Sequence, residues 1–155
     1  MNIFCRICAA WGLLFFVATM FVFLPLYLFC LILKEPTASK WHRAVSRMWM
    51  IIYLNGIGCP ITVRGKENYS KGNNYVIVCN HNSLMDIPIT TPFMPGPNKT
   101  IGKKSFAYAP FFGLIYITGS ILVDRKSDKS RRESFSKMRL ALRLGLDMVI
   151  YPEGT

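Results

Sequence analysis

Residues 7–33 carry no charged side chain and are flanked by Arg6 and Lys34. As one helix the run would be about 40 Å long at ~1.5 Å per residue, more than the ~30 Å hydrocarbon layer, so the pattern predicts a membrane-embedded segment. Pro25 removes a backbone donor near its middle. A single helix, or a hairpin of two shorter helices entering one leaflet, therefore fits equally well. A cleavable signal peptide would need only ~7 to 15 apolar residues, and no small-x-small site follows. From residue 39 to 54 the period changes: Trp41, Val45, Met48, Trp49 and Ile52 recur every three or four positions, with Lys40, Arg43 and Arg47 between them. This predicts an amphipathic helix, lying among lipid headgroups or packing its apolar stripe on the domain.

Beyond it, residues 61–63, 75–79, 120–123 and 148–151 are short Val- and Ile-rich runs bounded by turn formers, and they predict strands. Helices are predicted from Ser83 to about Thr91, from Phe106 to Tyr116, and from Ser127 to Leu144, closed by Gly145. Alternating strands and helices imply an α/β fold with a partly parallel sheet and flanking helices, its chemistry gathered at the carboxyl edge of the strands. The organisation expected is membrane-embedded and interfacial helices over residues 1–54, then an α/β domain over residues 55–155.

With 52% hydrophobic residues and a net charge of +11, the chain is neither disordered nor an ordinary soluble basic protein. The uncharged run is followed by Lys34, Lys40, Arg43 and Arg47 but preceded only by Arg6, and this bias places the rest on the cytoplasmic side. The five cysteines lack His partners at zinc spacing, no metal site is expected, and a reducing compartment keeps them as thiols. Between residues 125 and 143, eight positive residues face Asp128 and Glu133. Phe135, Met138 and Leu142 mark the buried stripe of that helix, leaving a basic face for anionic lipid. No aromatic residues interleave as a stacking platform, so nucleic acid is not the expected partner.

Three sites fall at the sheet edge. After the strand at 75–79 come His81, able to accept a proton near neutral pH, and Asp86, able to orient its ring. On one continuous helix their side chains would diverge by about 140°, so a pair requires His81 in the turn before the helix. Asp86 equally completes a capping box with an N-cap Ser83. Cys79 as a nucleophile activated by His81 is a further reading, against which stands the usual burial of a Cys ending a strand. The second site is Arg125, placed by alternation on one face with Ile121 and Val123: a planar guanidinium suited to phosphate or carboxylate, or, as its type alone more readily implies, a surface residue opening the basic helix that follows. The third is Glu153 with Gly154, after the stop at Pro152.

Together, Asn80-His81 with Asp86, Gly119-x-Ile121 with Arg125, and Pro152-Glu153-Gly154-Thr155, in this order behind an apolar N-terminus, resemble the lysophosphatidate acyltransferase family (1-acylglycerol-3-phosphate O-acyltransferases). Lys103, Lys104, Pro110 and Gly113 also fall in that family's intervening pattern. The resemblance implies a glycerol-3-phosphate acyltransferase-like fold and acyl transfer from acyl-CoA or acyl carrier protein to the free hydroxyl of a lysophospholipid, without a cofactor. Carried over, His81 is the general base, Asp86 its partner, Arg125 the phosphate clamp, and Glu153, Gly154 and Thr155 substrate-binding. Backbone N–H groups at the start of the Ser83 helix would stabilise the oxyanion. The family pattern continues past the third motif, so the domain is expected to be truncated. Alternatives are acylation of glycerol 3-phosphate or another lysolipid, and a non-catalytic anionic-lipid-binding module.

Overall fold

The computed structural model describes residues 2–70 and 72–153. Helix α1 (Ile3–Ile32) is continuous through Pro25 and is long and apolar enough to cross a membrane. Helix α2 (Thr37–Gly56) folds back along it. Trp11 Nε1 donates to Gly56 O at 3.2 Å, Trp49 Nε1 to Thr19 Oγ1 at 2.9 Å, and Tyr27 and Ser46 share a hydroxyl contact of 2.7 Å. The hairpin therefore forms between α1 and α2, with Pro25 inside one helix.

The stripe read on α2 divides. Val45 and Trp49 are buried with Met50 and Tyr53, whereas Trp41, Met48 and Ile52 are exposed. Arg43 and Arg47 face the domain: Arg43 Nε donates to Met94 O at 2.8 Å, and the Arg47 guanidinium lies 5.6 Å from the Phe93 ring centroid. The pair thus keeps exposed apolar side chains away from the cavity, Leu14 and Val22 of α1 and Met48, Ile51 and Ile52 of α2.

The strands are β1 (Val76–Val78), β2 (Asn98–Lys103), β3 (Ser120–Val123) and β4 (Asp147–Ile150). They form one sheet in the order β1-β4-β2-β3, and every pairing is parallel. All four carboxyl ends therefore lie on one edge. Two expectations fail. Residues 61–63 are not a strand; Ile61 and Val63 pack their side chains on the α1–α2 core without a ladder. Conversely, β2 was not predicted, because Asn98, Lys99 and Thr100 hide the period. Each polar side chain has a partner: Asn98 Nδ2 on Thr91 O at 2.9 Å, Thr100 Oγ1 with Ser120 Oγ at 2.8 Å, and Lys99 Nζ on Glu35 Oε1 at 2.7 Å. Such pairing removes the cost of burying polar groups in an inner strand.

Helices α3 (Asp86–Thr90), α4 (Phe112–Gly119) and α5 (Asp128–Arg143) complete the fold. The first starts at Asp86 instead of Ser83. The helix expected from Phe106 breaks at Pro110 into a 3₁₀ turn (Lys104–Tyr108) and α4. Helices α1, α2 and α4 share a core of Met20, Phe23, Trp49, Met50 and Ile115. Helix α5 packs with Ile121, Leu146 and Met148 in a second core. Its Ser127 cap accepts the Ser130 N–H at 3.2 Å. Phe135, expected inside, is 62% exposed, because Ser134 and Ala141 hold the inner face.

Candidate active site

His81 stands in the loop between β1 and α3, as a His–Asp pair at this spacing requires. Its Nδ1 lies 3.1 Å from Asp86 Oδ2. That same oxygen accepts the N–H groups of Asn82 and Ser83, each at 2.7 Å. The loop therefore wraps around the carboxylate, and the helix begins only where the wrap ends. One oxygen both closes the turn and holds the imidazole. The Ser83 and Asn82 amides and the His81 ring together keep the Asp86 carboxyl below the ordinary carboxylate range, so it is ionised at neutral pH. An ionised partner on Nδ1–H leaves the lone pair on Nε2, the arrangement a general base needs.

The oxyanion role expected for amides at the start of this helix is not available to Asn82 and Ser83, whose N–H groups are taken by Asp86. Helix α3, with five residues, adds little dipole. Burial, with the Asp86 charge adding to it, pushes the Cys79 thiol up. Cys79 stays protonated near neutral pH and is no activated nucleophile.

A cavity of about 790 Å³ opens beside this pair. His81, Lys103, Arg125 and Tyr151 line it where the strands end, and Gly12, Phe16 and Tyr53 of the helical pair line it elsewhere. Arg125 reaches it by a turn. Ile121 packs on the α5 side of the sheet, so simple alternation would carry Val123 and Arg125 there too. After β3, however, the Lys126 N–H bonds Asp124 Oδ1 at 3.0 Å and the Ser127 N–H bonds Asp124 O at 3.2 Å, and this turn brings Arg125 to the cavity.

Glu153, expected to meet substrate, accepts the His81 backbone N–H through Oε2 and so ties the tail of β4 to the histidine loop. Gly154 and Thr155 lie outside the described residues. Among the described residues, no three His, Cys, Asp or Glu side chains group as metal ligands.

Two further residues at this edge were given no role from the sequence, although Lys103 falls in the intervening pattern of the resemblance and Tyr151 opens the run of the third site. Lys103 ends β2, and an unseen strand has an unseen end. Tyr151 follows β4 directly; its ring centroid lies 4.9 Å from that of His81, and its hydroxyl lies 2.5 Å from Thr90 Oγ1. Its position between a strand and Pro152 was the available signal.

A 1-acyl-sn-glycerol-3-phosphate acyltransferase of Cocos nucifera is 32% identical over 119 residues, covering 76% of this chain and 37% of that protein. One from Borreliella burgdorferi is 34% identical over 99 residues, covering 63% and 40%. The human 1-acyl-sn-glycerol-3-phosphate acyltransferase alpha is 27% identical over 135 residues, covering 83% and 48%. The chain spans less than half the length of these curated relatives. No solved structure matches. The Acyltransferase family model matches residues 60–155, the stretch that carries His81, Asp86, Arg125 and Glu153, and the chain belongs to that family.

Proposed function

We propose that the chain carries the reaction centre of an O-acyltransferase that moves a fatty acyl group from a thioester, acyl-CoA or acyl carrier protein, to the free hydroxyl of 1-acylglycerol 3-phosphate. The observation that carries this reading is the His81–Asp86 pair, whose His81 lines a largely apolar cavity together with residues of α1 and α2. His81 Nε2 takes the proton of the acceptor hydroxyl as its oxygen attacks the thioester carbonyl. Collapse of the tetrahedral intermediate breaks the C–S bond, and the imidazolium returns the proton to the departing sulfur. Asp86 remains a carboxylate throughout and stabilises the imidazolium. Arg125 binds the acceptor phosphate, for which a planar guanidinium suits. Acceptor binding by Gly154 and Thr155 rests on the motif alone, and the fatty chain occupies the apolar part of the cavity.

Residues 1–54 attach the protein to the membrane, and residues 55–155 form the catalytic part. The middle of α1 is engaged by the domain, with the Phe21 and Phe111 ring centroids 5.0 Å apart. Only the outer side of the α1–α2 pair is therefore left for lipid, which favours entry into one leaflet. Lys34 and Lys40 beyond the apolar run favour the cytoplasmic face.

Transfer of a radiolabelled acyl group to a panel of lysophosphatidate, other lysolipids and glycerol 3-phosphate tests the reading in the full-length protein. Labelled phosphatidate that disappears in His81→Ala is expected. Activity persisting in that variant refutes the base assignment. A second reading is favoured by the exposure of Arg131, Arg132, Lys137, Arg139 and Arg143 on α5: binding of anionic lipid without catalysis. It requires salt-sensitive vesicle binding with no acyl transfer to any acceptor.

A further inference from the structure

We propose that Tyr151 is a positioning residue for the His81–Asp86 pair, holding the imidazole with its ring and the aspartate through Thr90. The inference rests on the acyl-transfer reading above. The Tyr151 and His81 ring planes meet at 47° with centroids 4.9 Å apart, so the phenol walls one side of the imidazole.

Its hydroxyl acts on the other partner. Thr90 Oγ1 lies 2.7 Å from the Asp86 carbonyl oxygen and 2.5 Å from the Tyr151 hydroxyl. A carbonyl only accepts, so the one Thr90 proton is committed to Asp86 and Tyr151 must donate to Thr90. The direction of the chain is thereby set: Tyr151 O–H to Thr90 O–H to Asp86 C=O. Burial pushes the Tyr151 phenol up to about 12, so the donor keeps its proton at neutral pH.

This bridge matters because α3 cannot place itself. It has five residues, fewer than an isolated helix needs to persist. Strand β4 is the rigid reference, paired on both sides with Met148 and Val149 fully buried. Tyr151 transfers that rigidity to the two members of the pair at once. Two positions on, Glu153 fixes the His81 backbone from the same tail. Misplacing a reacting group by ~1 Å can cost ~10²-fold in rate, so a loosened pair is a slow enzyme.

Steady-state acyl transfer by the full-length protein in detergent micelles, together with proton NMR of the His81 Nδ1–H resonance, tests the proposal. Tyr151→Leu is expected to lower kcat about 100-fold while the acceptor KM stays within about 2-fold, and to broaden the Nδ1–H signal. Tyr151→Phe keeps the ring and the signal and loses about 3- to 10-fold in kcat, the worth of one hydrogen bond. Thr90→Val loses the same amount, and the double variant loses no more than either single one. A Tyr151→Leu enzyme with undiminished kcat, a loss expressed only in KM, or additive Thr90 and Tyr151 losses overturns the proposal. If Tyr151→Leu fails to fold, the Phe and Val variants alone decide it through their additivity. A parent protein that transfers no acyl group, or an active His81→Ala, sinks the acyl-transfer reading. The Nδ1–H signal then decides about Tyr151 by itself, since it is read without turnover, and an unchanged signal in Tyr151→Leu counts against the proposal.

Discussion

Asp86 Oδ2 faces His81 Nδ1 at 3.1 Å and the Asn82 and Ser83 amides at 2.7 Å, so a single oxygen serves three donors. Replacing it with an amide removes the charge that favours the imidazolium and weakens the turn that presents the ring. Asp86→Asn is expected to reduce kcat by about 10²- to 10⁴-fold, the range of general acid–base contributions. Steady-state kinetics check this, with vesicle binding as the control for folding.

The same carboxylate gives a pH signature. The Ser83 amide first, then His81 and the Asn82 amide, hold its folded-state pKa below the ordinary value of about 3.9. A depressed acid binds fewer protons when folded than when unfolded, so its stabilisation is complete above that ordinary value and disappears as pH falls through the lower folded value. Thermal midpoints of the parent protein should therefore drop more steeply below about pH 4 than those of Asp86→Asn. Parallel curves down to about pH 2 would contradict the assignment of the shift to Asp86.

Lys99 and Glu35 join β2 to the segment between α1 and α2 across 2.7 Å, and their side chains are only 15% and 26% exposed. Removing one partner leaves the other charge poorly solvated. Lys99→Met should cost about 1–3 kcal/mol, below the 3–5 kcal/mol of a fully buried pair. The Glu35→Gln, Lys99→Met double variant should recover part of that loss, since no orphan charge remains. Denaturant midpoints of the four proteins measure the coupling.

Gly12 lines the cavity on α1, and a Cβ there would meet Tyr53 Oη at 3.8 Å, ordinary contact. The helix therefore has room for the first carbon of a side chain, and on the acyl-transfer reading the rest of the side chain in Gly12→Leu takes space from a long acyl chain. Overpacking of this kind costs about 1–3 kcal/mol, so kcat/KM for the longest donors should fall about 10-fold and that for short donors little. Competition between acyl donors of different length reads the change directly.

What the sequence disclosed follows from where side chains, or their partners, are local. The parallel α/β plan and the ends of β3 and α5 rest on short apolar runs and a Ser cap, and these were legible. Strand β2 was not, because its buried positions are Asn98, Thr100 and Gly102, whose partners Thr91, Ser120 and Tyr116 lie on other elements. Residues 61–63 misled in the opposite sense, since apolar alternation without a neighbouring strand is only a packed segment. Asp86 offered two readings, helix cap and histidine partner. The second holds geometrically, while the first becomes a turn: the helix starts at Asp86, and the amides its carboxylate accepts, Asn82 and Ser83, lie in the loop before it. Arg125 lines the cavity, but its face was misjudged from the sequence, as a turn outweighed the alternation of the strand.

Strand β4 comes last in sequence among the described strands yet sits between β1 and β2. During synthesis Val76 emerges from the ribosome well before Met148, with which it pairs, and until then β1 has no neighbour to join. Such a distant pairing makes for slow folding, because a long loop must close before any ladder bond forms. Tyr151 and Glu153 arrive on the same stretch of chain as β4. Closure of the sheet and the anchoring of the histidine loop by Tyr151 and Glu153 therefore come together, and a nascent chain halted before residue 147 has neither.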